Sequence, residues 1–278
     1  LEIVSEELDS NHISVFFLGD VHEGNGNHNG ESFRRAVREI KRVADSGRTV
    51  RCIGMGDYID AINIKDPRFS PSEIHEKYGI RELKDLPRKQ MKEFYEAIKP
   101  IKQYFKQALV GNHEESYIKH GGFDVYDYLC NDLLGDCSKI GYQGMVVYRC
   151  GTASENRRKP VKFALTHGSG GGGFREGYPL NNLMDIFRKF RADFYVMGHV
   201  HKLVSHHSDY VTTDHQYNIQ YDREWYGTSG CFLDTLRLGH RNYFEGNKGE
   251  LSHIGMLEAT IDIDRAGRIQ KHLHKHIF

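Results

Sequence analysis

Five short stretches of the chain place carboxylates, imidazoles and one carboxamide directly after apolar runs. "LGDVH" carries Asp20 and His22, "GMGDYID" carries Asp57 and Asp60, and "LVGNHE" carries Asn112 and His113. "ALTHG" carries His167, and "MGHVH" carries His199 and His201. Carboxylate oxygens, neutral imidazoles and an amide oxygen form a mixed O/N donor set. Such a set suits Zn²⁺, Mn²⁺, Fe or Co, and suits neither a thiolate site nor an all-oxygen calcium cage. The donors are too many for one tetrahedral ion and about enough for two ions sharing a carboxylate. Two ions roughly 3.5–4 Å apart can clamp the attacking and leaving oxygens of an in-line displacement. Any one block alone reads as a strand-end cap or a satisfied loop residue. The signal lies in the number and order of the blocks.

The elements that must position these residues alternate in type. Residues 13–18, "ISVFFL", are uncharged and mostly β-branched or aromatic, and read as a buried strand. "ESFRRAVREIKRVA" then puts Phe33, Ala36, Val37, Ile40, Val43 and Ala44 on one helical face. "TVRCIGMGD" is a second strand, and "PRKQMKEFYEAIKPIKQYF" a helix broken at Pro100. "QALVGNHE" is a third strand, followed by a helix over 123–134. "GMVVYRC" and "VKFALTHG" read as strands, "PLNNLMDIFRKFRA" as a helix opened by proline, and "DFYVMGHVH" as a strand. From residue 202 onward the pattern is strand-rich and closes with a hairpin turning at "DRAG". The alternation predicts an α/β layered fold. Residues 1–278 read as one domain with an insertion over 61–86 and a C-terminal strand-rich part over 202–278. In α/β sheets, sites gather at the carboxyl ends of strands. Five strand ends can therefore converge on one pocket, and the glycine beside most of them permits a sharp turn.

Composition narrows the partners. Lys and Arg number 38 and so do Asp and Glu, so no global basic field recruits nucleic acid or an acidic membrane. Any nucleic-acid contact has to be local. No run of about 18 apolar residues occurs, so no membrane span is expected. "LEIVSEELDS" lacks the basic and apolar regions of a signal peptide. The five cysteines form no CxxC pair, which fits reduced, buried thiols and a cytoplasmic setting.

The order D-x-H, G-D-x-x-D, G-N-H-E, H, G-H-x-H resembles that of the calcineurin-like metallophosphoesterases, with all five blocks present over residues 20–201. The resemblance implies a double β-sandwich flanked by helices, in four layers. It implies that Asp20, His22, Asp57 and His201 hold one metal, and that Asn112, His167 and His199 hold a second, with Asp57 bridging. His113 does not match a ligand; the resemblance places it toward substrate, oriented by Asp60. The implied reaction is phosphoester hydrolysis, with a metal-bridged hydroxide attacking phosphorus in line. The cofactors would be two divalent transition-metal ions, manganese first, with Fe, Zn, Co or Ni as alternatives. Asp60 is followed by Ala61 and Ile62, and "GDVHEGN" lacks the glycine of G-D-x-H-G, both unlike the family's protein phosphatases. The expected activity is a phosphodiesterase on a nucleotide or nucleic-acid fragment. The alternatives are a phosphomonoesterase on a small metabolite and a non-catalytic metal-binding module.

Other stretches carry weaker readings. "HGSGGGGFREG" is a substrate lip or a surface loop, and its Arg175 is a candidate substrate contact. The insertion is a cap, an oligomer contact or a plain loop, with Lys65 and Arg68 as further substrate candidates. "RRAVREIKR" reads as a solvated helix face, "ENRRKP" as a charged turn and "KHLHKH" as an edge strand. His206 and His207 fall outside the motif order and read as structural or exposed. Glu114 reads as an acidic residue opening the next helix.

Overall fold

The computed structural model describes residues 1–61, 75–79, 85–152, 158–170, 177–213, 216–235, 251 and 253–278. Lys65, Arg68 and Arg175, most of the 61–86 insertion and much of the glycine-rich loop lie outside the described residues.

Two six-stranded sheets stack face to face. The first orders its strands β12-β11-β2-β3-β4-β5, the second β1-β6-β7-β8-β10-β9. In the first sheet, β2 (His12–Leu18), β3 (Thr49–Gly54), β4 (Phe105–Leu109) and β5 (Ser138–Gly141) run parallel. The antiparallel hairpin β11 (Gly255–Ile263) and β12 (Ile269–Ile277) completes its far edge. The second sheet contains β1 (Glu2–Asp9), β6 (Gln143–Gly151), β7 (Lys159–Thr166), β8 (Phe194–Met197), β9 (Leu203–Thr213) and β10 (Ile219–Ser229). There β8 lies parallel between β7 and β10. The helices are α1 (Gly30–Asp45), α2 (Leu86–Ile98), α3 (Asn112–Gly121), α4 (Val125–Asp127) and α5 (Tyr178–Phe187).

The layering follows from which side of each strand is apolar. Along β2, Ile13, Val15 and Phe17 enter the core between the sheets, where they meet Phe163, Phe194 and Leu257. Phe16 and Leu18 point the other way, toward Phe33 and Ile40 of α1 and Phe94 of α2. A strand buried on both faces carries no polar alternation, which is why "ISVFFL" looks uniform. A third, smaller core packs Leu183 and Phe187 of α5 on Tyr195 and Met197. The result is helix, sheet, sheet, helix.

Local chemistry sets the helix limits. Asn29 caps α1, its side-chain oxygen accepting from Ser32 N at 2.9 Å, a contact worth about 1 kcal/mol. α2 stops at Ile98 and a 3₁₀ turn, Lys99–Tyr104, takes over at Pro100, whose ring and missing N–H cannot continue an α-helix. α5 ends at Phe187, earlier than its sequence pattern extends, because Phe190 N donates to Phe187 O in a tight closing turn.

β1 is an element that its sequence did not signal. It pairs parallel with β6 from Glu2 to Asp9 although four of its eight residues are acidic. The acidic charge is met from the other sheet: Arg51 Nε donates to Glu6 at 2.9 Å and Gln107 Nε2 at 3.2 Å. All five cysteines are buried and unpaired by disulfides. Among the described residues, no helix is long and apolar enough to cross a membrane.

Candidate metal centre

The loops after β2, β3 and β4 of one sheet and after β7 and β8 of the other meet at the same end of the sandwich. The first two run side by side: Asp20 N donates to Gly56 O at 2.9 Å, and Val21 N and His22 N both donate to Asp57 O, at 2.9 and 3.0 Å. Their turns are unusually tight. Asp20, His22, Asp57, His199 and His201 all have φ between 49° and 67°. This left-handed region costs a non-glycine residue about 1–2 kcal/mol. Strain of this kind persists only where surrounding contacts enforce it.

Glycine makes the crossing possible. A Cβ on Gly111 would lie 2.1 Å from Asp57 Oδ1 and 2.2 Å from Asp57 N. Gly111→Ala is therefore expected to destabilise the metal-free protein by about 1–3 kcal/mol, the usual cost of overpacking a filled site. Thermal unfolding in chelator measures it; an unchanged midpoint would show that the loops are looser than this contact implies.

Two groups of donors lie on either side of one carboxylate. Asp20, His22 and His201 each offer a ligand atom within 4.8 Å of the others, and so do Asp57, His167 and His199. Asp57 Oδ2 lies 3.3 Å from His167 Nε2 in one group and 3.8 Å from His22 Nε2 in the other. His22 Nε2 faces His201 Nε2 at 3.2 Å, and His201 Nε2 lies 3.5 Å from Asp20 Oδ1. Asn112 Oδ1 completes the other side, 2.9 Å from His167 Nε2 and 2.8 Å from His199 Nδ1.

These donors fit a divalent cation. His167 Nδ1 lies 2.7 Å from the Met55 carbonyl. A carbonyl only accepts, so Nδ1 carries a proton, and the neutral ring presents a lone pair at Nε2. That lone pair meets Asn112 Oδ1 and Asp57 Oδ2, both acceptors, in a buried space. Electron pairs so placed repel unless positive charge sits among them. The demand is visible in His167 itself. Burial opposes its charged form, yet the neighbouring Asp57 and Asp20 carboxylates push it up to about 10. A metal ion meets the same demand. His22 is pulled down from the usual imidazole range, first by burial, and so is His199; both stay neutral and able to ligate. Burial opposes the Asp57 carboxylate, but His167 and His113 hold it well below the usual range. The Nδ1 of His22 is buried without a hydrogen-bond partner among the described residues.

A third group joins His22, Asp60 and His113. His113 Nδ1 lies 2.5 Å from the backbone carbonyl of Asp60, whereas the Asp60 carboxylate is 3.9 Å away. That carboxylate instead accepts from Asn25 Nδ2 at 3.0 Å. Asp60 thus touches His113 through its main chain.

Glu114 has a larger place than its sequence position indicated. It stands in the first turn of α3 and accepts from Gly111 N at 3.0 Å, as a helix-opening carboxylate does. It also accepts from Asp57 N at 2.9 Å and Ile59 N at 3.2 Å. One fully buried carboxyl group therefore binds the loop after β3 to the loop after β4. Burial and the Asp57 charge push it up to about 7. Leaving such N–H groups buried without partners costs roughly 1–3 kcal/mol each. The signal was present in "GNHE", but the helix-opening reading absorbed it. Tyr142 was also missed. Its hydroxyl donates to Gly168 O at 2.5 Å and its ring stands edge-on to His167 at 5.4 Å.

A family model described as calcineurin-like phosphoesterase matches residues 13–203. Among solved structures, the chain is similar to Haemophilus influenzae NAD nucleotidase at 10% identity and a TM-score of 0.42, covering 96% of this chain and 50% of that one. It is similar to 5'-nucleotidase from Candida albicans at 11% identity and a TM-score of 0.38, covering 97% and 53%. It is also similar to Chaetomium thermophilum Vps29 at 10% identity and a TM-score of 0.37, covering 97% and 98%. The chain spans about half the length of the two nucleotidase chains. No curated protein matches it.

Proposed function

The chain belongs to the calcineurin-like phosphoesterase family, metal-dependent phosphoester hydrolases, and from that premise we propose that it is a phosphodiesterase acting on nucleotide or nucleic-acid substrates. The observation that carries the binuclear reading is the position of Asp57 Oδ2, within 3.8 Å of His22 Nε2 and 3.3 Å of His167 Nε2. A single oxygen in reach of both donor groups would let one carboxylate serve two ions.

In this reading Asp20, His22 and His201 hold one ion, Asn112, His167 and His199 hold the other, and Asp57 serves both. Manganese is the first candidate, and Fe, Zn, Co and Ni suit the same donors. When bound, the ions supply a water acidic enough to be a nucleophile near neutral pH and offset charge on the phosphoryl oxygens. The chain's own residues do the rest. Glu114 holds the two ligand loops in register. The Met55 carbonyl fixes the His167 tautomer so that Nε2 is free to ligate. The Asp60 carbonyl orders the His113 ring, leaving Nε2 as the nitrogen able to give a proton or hydrogen bond to the substrate.

The diester preference rests on the unphosphatase-like blocks after Asp20 and Asp60. The test compares hydrolysis of bis-p-nitrophenyl phosphate and p-nitrophenyl phosphate by the Mn²⁺-loaded protein. Faster turnover of the diester is expected. Faster turnover of the monoester would make a metabolite phosphatase the better reading, and no turnover of either would favour a binding module.

A further inference from the structure

Two basic stretches far apart in sequence, "RRAVREIKR" and "KHLHKH", line one cleft. Its volume is about 540 Å³, and Arg35, Arg38 and Arg42 of α1 face Lys275, His276 and Phe278 across it. Each stretch alone reads as an exposed polar face. Together they place four cations around one space, with Glu39 as the lining acidic side chain.

The charge is cancelled from within only in part. Arg42 pairs with Glu39 at 2.6 Å, and Arg38 with Glu31 at 3.0 Å. His276 is held by Glu258 at 2.8 Å, so that carboxylate is engaged behind the cleft. Among the described residues, neither Arg35 nor Lys275 has a carboxylate partner. Along α1 the three arginines follow at steps of three and four residues, about 5 and 6 Å apart at the ordinary helical rise. They form a row.

The cleft is also aromatic. The His276 and Phe278 rings lie 15° from parallel with centroids 6.4 Å apart, and the Arg35 guanidinium stands 6.0 Å over Phe278. A cationic row beside flat rings is the combination that binds single-stranded nucleic acid, with phosphates on the charges and bases on the rings. A run of backbone contacts links the cleft's Phe278 to the metal-centre loop. Phe278 N donates to Ile254 O, Ile254 bridges to Cys231, and His253 N donates to His201 O.

We propose that this cleft binds a single-stranded oligonucleotide, its backbone on Arg35, Arg38, Arg42 and Lys275 and its bases against Phe278 and His276. That the strand then enters the metal centre rests on the phosphodiesterase reading above; the binding does not.

The test is fluorescence anisotropy of a labelled, hydrolysis-resistant phosphorothioate oligothymidylate with the Mn²⁺-loaded protein, across a salt series. The variant carrying Arg35→Gln and Lys275→Gln is expected to bind at least tenfold more weakly. Its log K against log salt slope should be shallower by about 1.4, since each lost phosphate contact removes about 0.7. Arg34→Gln, on the same helix but outside the cleft, should leave affinity unchanged. No binding by the unaltered protein, equal binding by the double variant, or an equal loss in Arg34→Gln would overturn the proposal. So would phosphatidylserine vesicles that compete fully with the oligonucleotide, because the cleft would then serve a membrane surface. Cleft-dependent binding without cleavage of bis-p-nitrophenyl phosphate would sink the phosphodiesterase reading and leave the cleft standing. Cleavage without oligonucleotide binding would do the reverse.

Discussion

Replacing Asp57 with Asn is expected to abolish tight binding of both metals and to lower turnover of bis-p-nitrophenyl phosphate by about 10³-fold or more. The fold should survive. Asp57 Oδ1 accepts from His113 N at 2.9 Å, and an asparagine oxygen can keep that bond. What changes is the other atom of the group. Oδ2, the oxygen between His22 and His167, would become an amide NH₂ or lose its charge. Either change removes the one donor common to both groups. Losing several kcal/mol of charge stabilisation corresponds to about three orders of magnitude in rate. Metal content by elemental analysis and turnover under the same conditions check it. Two ions retained with a rate within tenfold of the unaltered protein would mean that Asp57 is not shared.

His113→Ala is expected to do the opposite to metal content and nearly as much to rate. Both ions should remain, and turnover should fall by about 10²–10⁴-fold, the usual worth of a positioned proton donor. The distinction comes from where His113 sits. Its backbone N–H serves Asp57 and is kept in alanine. Its ring stands 4.6 Å from His22, edge to face, with Nδ1 on the Asp60 carbonyl. Burial opposes the Asp60 carboxylate, but the imidazoles of His22 and His113 hold it below its usual range, with Asn25 as a further donor; the His113 ring nitrogen lies on the carbonyl, not on that charge. If the alanine variant loses an ion, His113 is a ligand and the third donor group, with His22 and Asp60, is a real site. A leaving group that needs no protonation should lessen the loss, so p-nitrophenyl esters give a lower bound.

The layers and the donors were legible because both depend on residue identity over short spans. "ISVFFL" carries one small hydroxyl, Ser14, and no charge to turn toward water, so it is expected to be covered on both faces, and it is. Pro100 and Pro179 mark helix boundaries by covalent geometry alone. Aspartate, histidine and asparagine are metal donors wherever they stand, and placing them after apolar strands already implied one end of a sheet. The family's order of blocks could be recognised without any coordinates.

What the chain decides only on folding depends on partners distant in sequence. β1 is a strand because β6 offers it a parallel edge and Arg51 answers its charge; eight residues dominated by acids carry no such instruction. Glu114 is a clasp because packing brings Asp57 and Ile59 within reach, more than fifty positions away. Five candidate ligands are left-handed because opposing loops compress their turns; aspartate and histidine enter that region more readily than most residues, but still too rarely for local sequence to specify it. Arg35 and Lys275 share a cleft only because β12 closes its sheet beside α1. Sequence by itself determined which atoms can donate and to what chemistry. Tertiary structure decided which of them meet, because distance between side chains is set by how sheets and helices stack rather than by how the residues are spaced.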